Sequence, residues 1–378
     1  MIIAIDASRS RSGGTIAHLE GILLNVPEEL NDLEVHIWSY PQCLDALPDR
    51  QWLHKHSPSF LEKSIFHQLF WQKFLFPSEI RNNNCQVLFK TTASSVCNFE
   101  PSASLSQDML PFEPGETKRF GYSIARIRLK ILQKLYIKSL RSSNLAIFLT
   151  HYAARMIQKS TGKINNYRVI PHGVPDFFRI KKETLNQKKF NKQNVIKIIY
   201  ISEISPYKHQ DKVLQAISEL NSSGYKLTLD LVGGGRGSYY KKFKRLLKKC
   251  DPQLTYTKLH PFIKRDQLPS LIQNSDIFIF ASSCENLPIT ILEGMGSGKP
   301  IASSDRGPMP EVLGDTAFYF DPEDIQSIKD CIIQIVDSPD IVFEKVLNSM
   351  ERSEKYNWKK CSHDTFFALS SLIKDNTH

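Results

Sequence analysis

The strongest constraint on the fold is a repeated alternation of short apolar runs with segments of helical periodicity. The apolar runs read as strands at residues 1–8, 33–40, 86–92, 145–150 and 167–174, then at 195–202, 226–234, 254–262, 276–282 and 300–305. The helical segments between them include 15–26, 122–140, 153–160, 210–220, 239–249, 266–275 and 289–297. Strands that alternate with helices form parallel sheets covered on both faces, so we predict an α/β fold.

The length of 378 residues predicts two domains, because a single core rarely grows that large. Residues 179–194 are polar and basic with almost no apolar content, which is typical of a linker. We therefore expect Rossmann-like domains at 1–178 and 195–345. The remaining residues, 346–378, have helical periodicity, and we expect them to pack back on the first domain.

The charge is positive and unevenly distributed. The net charge is +10, and residues 118–141 and 236–249 hold eight and seven Lys or Arg with no acid. Such blocks suit nucleic acid, anionic lipid or a phosphorylated ligand. No recognised nucleic-acid module accompanies them, so we expect no nucleic-acid partner.

The cysteines and the apolar runs indicate the cellular compartment of the protein. Seven cysteines show no CxxC pair or metal-ligand spacing, as is typical of reduced thiols. No run approaches the roughly 20 apolar residues of a membrane span, and Asp6 interrupts the first apolar run, which argues against a signal peptide. We predict a cytoplasmic protein, or one peripheral on the cytoplasmic face of a membrane.

Two glutamates eight positions apart, Glu285 and Glu293, follow the strand at 276–282. Glu285 lies at the strand tip, where ligands bind in parallel sheets, and Glu293 lies two turns into the next helix. The glycines at 294, 296 and 298 each cost about 0.5–1 kcal/mol in a helix relative to alanine. Their presence predicts that something packs close to the helix backbone.

The start of this helix is a candidate phosphate site. Asn286 or Leu287 is expected to cap the helix, with Pro288 in its first turn. The first-turn backbone N–H groups, around residues 287–289, would then lie at a positive helix end, which suits an anion.

Residues 275–324, which read SDIFIFASSCENLPITILEGMGSGKPIASSDRGPMPEVLGDTAFYFDPED, resemble the E-x7-E region of family-4, group-1 glycosyltransferases. These are retaining, nucleotide-sugar-dependent enzymes of bacterial polysaccharide and lipopolysaccharide assembly. The resemblance implies the GT-B arrangement, in which two Rossmann-like domains face each other. It implies that Glu293 binds the ribose of the donor and that Glu285, as a catalytic residue, contacts the transferred sugar. The segment after Glu285 would line the donor site through Asn286, Leu287, Pro288 and Ile289.

Lys208, in the loop after the strand at 195–202, is a second candidate catalytic residue. A point-charge ammonium there suits a leaving diphosphate. Members of the family carry an arginine five residues before this lysine, whereas this chain has Glu203. Either Lys264 or Arg265 replaces the arginine, or Glu203 points away.

Further donor-site candidates lie in other strand-to-helix loops. Gly13 and Gly14 open a helix after the first strand, and Gly235 belongs to the turn VGGGRG. Base recognition is expected near Phe262 and Ile263.

The acceptor side offers one candidate. Asp108 follows the strand at 86–92 in sequence, in a loop where many family members carry a histidine, so it is a candidate catalytic partner of the acceptor hydroxyl.

No Asp-x-Asp motif occurs, so the usual carboxylate clamp for a divalent metal on a sugar diphosphate is missing. We expect no metal and no cofactor besides the nucleotide-sugar co-substrate. Lys208, helix dipoles and backbone N–H groups would stabilise the leaving group.

The sequence therefore predicts a retaining hexosyltransferase that acts on a saccharide or a lipid-linked saccharide. Two alternatives stay open. One is a catalytically silent, nucleotide-sugar-binding subunit of a polysaccharide assembly complex, which Glu203 and the missing histidine support because they depart from the family pattern. The other is a nucleotide-sugar 2-epimerase of the same fold.

The helix within 118–141 raises a separate question. Its isoleucines at 124, 127 and 131, with Leu132, Leu135 and Tyr136, recur at helical spacing and predict one apolar stripe beside a basic one. This face either packs within the domain or rests on anionic lipid.

Overall fold

The computed structural model describes residues 1–10, 13–30, 32–185, 187, 190–191, 193–261 and 263–374. The chain forms two compact units. One comprises Met1–Gly173 and the segment from Asn357 onward, and the other comprises Val174–Tyr356. The divisions lie at 173/174 and 356/357, compared with the boundaries at 178 and 345 expected from the sequence.

The described residues form thirteen strands. They are β1 (Ile2–Asp6), β2 (Glu34–Trp38), β3 (Leu53–His56), β4 (Val87–Lys90), β5 (Ser102–Ser106), β6 (Leu145–Phe148), β7 (Tyr167–Val169), β8 (Ile196–Ile201), β9 (Leu227–Val232), β10 (Thr257–His260), β11 (Ile277–Phe280), β12 (Ile301–Ser304) and β13 (Phe318–Phe320).

Fourteen α-helices are described. They are α1 (Gly14–Leu24), α2 (Pro41–Asp45), α3 (Ile65–Phe70), α4 (Phe76–Asn82), α5 (Ile124–Ser142), α6 (His151–Thr161), α7 (Gln210–Ser222), α8 (Gly237–Cys250), α9 (Leu268–Gln273), α10 (Ile289–Gly296), α11 (Met309–Leu313), α12 (Ile325–Asp337), α13 (Pro339–Ser353) and α14 (Trp358–Lys374). A π-helical turn, Trp71–Leu75, joins α3 to α4. None of these helices is long and apolar enough to cross a bilayer.

The first unit is built on a seven-stranded parallel sheet in the order β3-β2-β1-β4-β5-β6-β7. The central strands β1, β4, β5 and β6 are buried almost throughout, which explains their runs of apolar or small residues. On one face, Trp71, Phe76 and Ile80 pack with Trp38 and Leu88 in a common core.

The C-terminal helix α14 belongs to this first unit and packs against α1, β4 and β5. Helix α14 can approach the rest of the unit closely because Trp358 packs against glycines, which have no side chain. A Cβ built on Gly21 would lie 2.4 Å from the Trp358 ring, and one on Gly173 would lie 2.2 Å from the Trp358 backbone nitrogen. The Ser362 hydroxyl donates to the Ile22 carbonyl at 2.7 Å. The last helix therefore returns to the fold of residues 1–173.

The second unit is built on a six-stranded parallel sheet in the order β10-β9-β8-β11-β12-β13. The chain moves outward from β8 to β9 and β10 and then returns to the other side of β8 at β11. This reversal makes a topological switch point between β8 and β11, where ligands of such sheets bind at the carboxyl ends of the strands.

The structure adds three strands that the sequence analysis did not predict: β3, β5 and β13.

The apolar residues of α5 fall into a buried group and an exposed group. Leu129, Tyr136 and Leu140 are buried, whereas Ile124, Ile127 and Ile131 are 85%, 61% and 56% exposed. The expectation of one continuous apolar stripe on this helix was wrong, because the packed residues and the exposed isoleucines lie on different sides.

Candidate active site

The best-defined polar cluster lies in the second unit, at the switch point between β8 and β11. The loop after β8 carries Lys208, and the loop after β11 carries Glu285. These two strands pair through Ile277 with Ile198 and Phe278 with Ile199, so their following loops are neighbours. The fold therefore brings together two residues that are 77 positions apart in the chain.

Lys208 and Glu285 form a direct, mostly buried ion pair. The Lys208 Nζ donates to Glu285 Oε1, and the two side chains are only 13% and 14% exposed. The ammonium also lies 5.2 Å from the centre of the Tyr207 ring and 5.4 Å from that of Phe280. Both distances lie within the range of cation–π contacts, so two aromatic rings flank the ammonium.

Hydrogen bonds hold the two loops against each other. The Ser283 N–H donates to the Tyr207 carbonyl at 2.9 Å, and the His209 Nε2 and Ser283 Oγ lie 3.0 Å apart. The hydroxyl of buried Tyr200 donates to the Lys208 carbonyl at 2.6 Å. Burial raises the pKa of Tyr200, which keeps this hydroxyl protonated as a donor. Lys208 is thus positioned by its backbone as well as by its side chain.

Glu293, on α10, is a buried carboxylate with one partner for one oxygen. The side chain is 2% exposed, and Arg265 Nη2 donates to its Oε1 at 3.2 Å. Within the described part of the chain, Oε2 has no hydrogen-bond partner. Burial raises the pKa of Glu293, and the nearby Arg265 charge partly opposes that shift. A buried carboxylate oxygen without a donor is costly, so this position favours a ligand that brings a hydroxyl or N–H group.

The start of α10 differs from the sequence expectation. Pro288 is the N-cap residue and Ile289 is the first helical residue, so neither Asn286 nor Leu287 caps the helix. Because proline has no backbone N–H, Pro288 cannot donate to a phosphate, and the first-turn donors belong to Ile289 and the residues after it. Asn286 and Leu287 precede the helix and are each 4% exposed.

The glycines of this segment allow close packing of its backbone. A Cβ on Gly294 would lie 3.1 Å from the Phe278 ring, and one on Gly296 would lie 3.3 Å from the Arg179 side chain. Gly298 has a φ of +70°, and its Cβ would lie 2.3 Å from Ile180. The close packing inferred from the three glycines is present, and it is made by the chain itself.

The loop after β9 lies beside the loop after β8. Ile204 and Gly235 pair in a short parallel bridge, and a Cβ on Gly235 would lie 2.7 Å from the Tyr240 ring. Glu203, which stands at the family's arginine position, forms an exposed pair with Arg236 at 3.6 Å. Arg236 therefore lies near position 203, and the sequence analysis did not consider it among the substitutes for the missing arginine.

The remaining candidates of this unit lie after β10. Ile263 is half-buried two residues before Arg265, whereas Phe262 lies outside the described residues. Of the two basic residues considered as substitutes for the missing arginine, Arg265 contacts Glu293 and Lys264 is exposed.

The other candidates belong to the first unit. Gly13 has a φ of +65° and is the N-cap residue of α1, which begins at Gly14. Asp108 follows β5, and its Oδ1 accepts the Leu110 N–H at 3.0 Å. These residues therefore follow carboxyl ends of strands in the seven-stranded sheet.

Comparison with known proteins finds a family-model match within the second unit. Residues 181–356 match the family model described as glycosyl transferases group 1. The O-antigen chain mannosyltransferase B of Escherichia coli is 24% identical over 174 residues, which are 46% of this chain and 45% of that protein. The GDP-mannose-dependent alpha-(1-6)-phosphatidylinositol monomannoside mannosyltransferase of Mycobacterium tuberculosis is 19% identical over 272 residues, 68% of each chain.

Comparison with solved structures concerns the whole chain. The crystal structure of Anabaena HepE in complex with UDP and glucose has a TM-score of 0.75 and 16% identity, and covers 98% of this chain and 100% of that one. At this identity the likeness shows the fold, and the chain has the α/β GT-B fold. By sequence, the chain spans about half or less of the lengths of the first three curated relatives that it matches.

Proposed function

We propose that the protein transfers a hexosyl group from a nucleotide diphosphate sugar, because residues 181–356 match the family model of glycosyl transferases group 1. The acceptor is a saccharide or a lipid-linked saccharide, and the process is polysaccharide or lipopolysaccharide assembly. The relatives named above act on O-antigen chains and on a phosphatidylinositol mannoside, which supports an acceptor of this kind.

The observation that carries this proposal is the pairing of charged groups at the switch point of the second unit. Glu293 has a buried oxygen available for a ribose hydroxyl, and Lys208 presents a positive charge for the diphosphate. Glu285 forms the ion pair with Lys208, so its carboxylate lies beside the ammonium. That carboxylate can accept a hydrogen bond from a hydroxyl of the transferred sugar. In this proposal Arg265 and Glu293 lie at the nucleoside end of the donor, and Lys208 and Glu285 lie at its diphosphate and sugar end.

The proposed chemistry breaks the bond between the anomeric carbon and the diphosphate oxygen and forms a new bond from that carbon to the acceptor oxygen. The bonding electron pair leaves with the diphosphate, whose growing charge Lys208 and the first-turn N–H groups of α10 stabilise. The acceptor proton passes to the departing phosphate, on the same face of the sugar, which retains its configuration. The absence of an Asp-x-Asp motif supports catalysis without a metal.

A transfer assay with a panel of nucleotide sugars tests the proposal. The wild type is expected to move label from one donor into a lipid-linked or oligosaccharide acceptor. Glu285→Gln is expected to abolish most of that transfer, whereas Glu344→Gln, an exposed change in the same unit, preserves it. Donor binding without turnover would indicate a silent subunit, and donor isomerisation without acceptor would indicate an epimerase.

We also propose that the first unit rests on an anionic membrane, on the cytoplasmic face, through α5. The exposed Ile124, Ile127 and Ile131 lie on the same helix as five basic residues. These are Arg126, Lys130, Lys134, Lys138 and Arg141. Each basic residue near an anionic surface contributes about 1 kcal/mol of binding, so the five together could hold the protein there.

A second exposed apolar segment lies on the same face of the sheet. Phe66, Phe70 and Phe74 are 78%, 51% and 56% exposed. The connection from β3 to β4 and the connection from β5 to β6 run in the same direction across the sheet. Right-handed crossovers therefore place both helical segments on one face, which strengthens the proposal of a lipid contact there.

Vesicle co-sedimentation distinguishes this contact from a solvated helix. Binding is expected to require anionic lipid and to weaken in about 0.5 M NaCl, because salt shortens the Debye length. Changing the five basic residues of α5 to Gln should abolish it, whereas Gln at the exposed lysines 241, 242 and 244 of α8 should not. Equal binding to neutral vesicles, or equal loss in both variants, would contradict the assignment to α5.

A further inference from the structure

A cluster of three potential metal ligands lies at the edge of the seven-stranded sheet, on β2 and β3. The parallel register pairs His36 with His54, and Glu34 lies two residues before His36. Since side chains alternate along a strand, Glu34 and His36 lie on the same face. The paired residue His54 presents its ring to that face as well, with its centroid 4.6 Å from that of His36.

The donor atoms of these residues converge. The Nε2 atoms of His36 and His54 lie 3.0 and 3.1 Å from the same oxygen, Glu34 Oε1, and the three ligand atoms all lie within 4.8 Å of one another. A tetrahedral zinc with bonds of about 2.0–2.1 Å separates its ligand atoms by roughly 3.3 Å. The observed spacing is close to that value, so a small adjustment of side chains would admit the ion.

The second ring nitrogen of His36 also has a polar partner. His36 Nδ1 lies 3.0 Å from His56 Nε2, and the His56 ring stacks on Trp38 at a centroid distance of 4.5 Å. If His36 Nδ1–H donates to His56, then His36 Nε2 presents a lone pair towards the Glu34 carboxylate. With that tautomer, a cation between the two acceptors would bind both of them.

One ligand of the cluster is buried, and the other two are partly exposed to solvent. The side chain of His36 is 8% exposed, whereas those of Glu34 and His54 are 41% and 43% exposed. A metal could therefore enter from solvent and keep water as its fourth ligand. Two imidazoles and a carboxylate are a ligand set that zinc readily accepts.

We propose that Glu34, His36 and His54 form a zinc site that ties the edge strand β3 to β2. The site lies within these strands, whereas the proposed donor site belongs to the other unit. Strand β3 is four residues long and is paired on one side only, so a metal link to β2 would protect an edge that otherwise frays. The proposed metal links the two strands, and the transfer reaction does not use it.

Zinc binding to the purified full chain tests this inference. After incubation with ZnCl₂ and dialysis, the wild type is expected to retain about one Zn²⁺ per chain by atomic emission. Glu34→Gln and His54→Ala change exposed or isosteric positions that should not disturb folding. Each should weaken zinc binding by more than the roughly 10–100-fold that loss of an outer-shell partner costs.

His363→Ala is the matched control, because His363 is an exposed histidine beside Asp364 on α14. It should retain zinc as the wild type does, and zinc should raise the Tm of both. The same Tm increase should be absent in Glu34→Gln and His54→Ala. Absence of zinc from the wild type, or equal retention by all four proteins, would overturn the proposal and leave a hydrogen-bonded cluster only.

Discussion

Lys208 and Glu285 neutralise each other before any donor arrives, and this pairing determines how each can act. Removing one member of a mostly buried pair leaves the other charge uncompensated. The ammonium has three donors, so it can keep Glu285 while it binds a phosphate oxygen. The carboxylate has a second oxygen for a sugar hydroxyl. The pair can therefore serve diphosphate and sugar together.

Lys208→Ala should lower kcat more than it raises KM, because charge on the diphosphate grows towards the transition state. Loss of one such stabilising group typically costs about 10²–10³ in kcat. Steady-state kinetics against the donor measures both constants, with Lys212→Ala on α7 as the control and Tm as the check on folding. A variant with normal kcat and a raised KM would show that Lys208 contributes only ground-state binding.

At this scale the sequence singles out candidate residues but not their partners. Lys208, Glu285 and Glu293 stand in local segments that resemble the family, so they could be singled out. The Arg265 contact to Glu293 spans 28 positions and the His209 contact to Ser283 spans 74. Such pairs form only when the loops of different strands meet, and for Arg265 the sequence offered no more than one of two basic candidates.

Among the elements, the turn that follows α10 shows how glycine permits a close packing contact. Gly298 combines a left-handed φ of +70° with a Cβ position 2.3 Å from Ile180. Gly224 has a comparable φ of +94° and open space around its Cβ position. The two positions therefore separate the conformational cost of alanine from the steric cost.

Gly224→Ala should destabilise the protein by about 1–2 kcal/mol, the cost of a left-handed non-glycine residue. Gly298→Ala should cost roughly 1–3 kcal/mol more, because its methyl group overpacks against Ile180. Urea unfolding of both variants gives the comparison. Equal losses of unfolding free energy in the two variants would mean that the segment near Ile180 moves to admit the methyl group without a measurable cost.

The turn between α8 and β10 depends on one carboxylate. Asp251 accepts the Thr255, Tyr256 and Thr257 N–H groups at 2.8–3.0 Å and the Thr255 hydroxyl at 3.0 Å. Burial acts to raise the pKa of Asp251, but these hydrogen bonds outweigh it and lower the pKa below its ordinary 3.8. The stabilisation is therefore complete above pH 3.8 and is lost as the pH falls through the lower, folded-state pKa.

Asp251→Asn should cost about 1–3 kcal/mol at neutral pH, because the amide nitrogen cannot accept these bonds. It should also reduce the loss of stability in acid. Chemical unfolding at several pH values down to about 2.5 measures both effects, and exposed Asp337→Asn should stay within about 0.5 kcal/mol of wild type. An unchanged acid profile in Asp251→Asn would contradict this account.

Two of the three strands that escaped sequence analysis, β3 and β5, share a physical cause. Strand β3 reads Leu-His-Lys-His at a sheet edge, and β5 reads Ser-Ala-Ser-Leu-Ser between two strands. Neither has the run of large apolar residues that marks a buried strand. In β5 the serines are buried because small side chains suffice where helices lie close. In β3 the polar residues are tolerated because this strand lies at the edge of the sheet and is partly exposed to solvent.

For the molecule as a whole, the alternation of strands and helices was sufficient to predict the α/β fold, and the resemblance pointed to GT-B. The alternation could not show that Ser8, Gln72 and Ser95 converge on Asp6, the single acid of the first apolar run. Asp6 is 3% exposed and accepts from Ser8, Gln72 and Ser95. A lone acid in an apolar strand was the available signal for this buried network.

Metal chelation distinguishes the roles proposed for the two units. Transfer should survive EDTA, because Lys208 and backbone N–H groups, in place of a bridging cation, stabilise the leaving diphosphate. Chelation should affect only Tm, through the site on β2 and β3. The assay compares initial rates before and after EDTA. Complete loss of transfer that Mg²⁺ or Mn²⁺ restores would contradict catalysis without a metal.

The central claim is that Glu293 binds the ribose of a nucleotide diphosphate, and calorimetry with matched ligands tests it most directly. GDP and UDP are titrated first, and the one that binds is then compared with its 2′,3′-dideoxy analogue, on wild type, Glu293→Ala and Glu344→Ala. Hydrogen bonds to a carboxylate contribute about 1.5–3 kcal/mol, so wild type and Glu344→Ala should prefer the ribose form by roughly 10–100-fold. Glu293→Ala should lose that preference, because the group that recognises the hydroxyls is gone. If Glu293→Ala instead discriminates between the two ligands as strongly as wild type, the ribose is bound elsewhere and the assignment of this site is wrong.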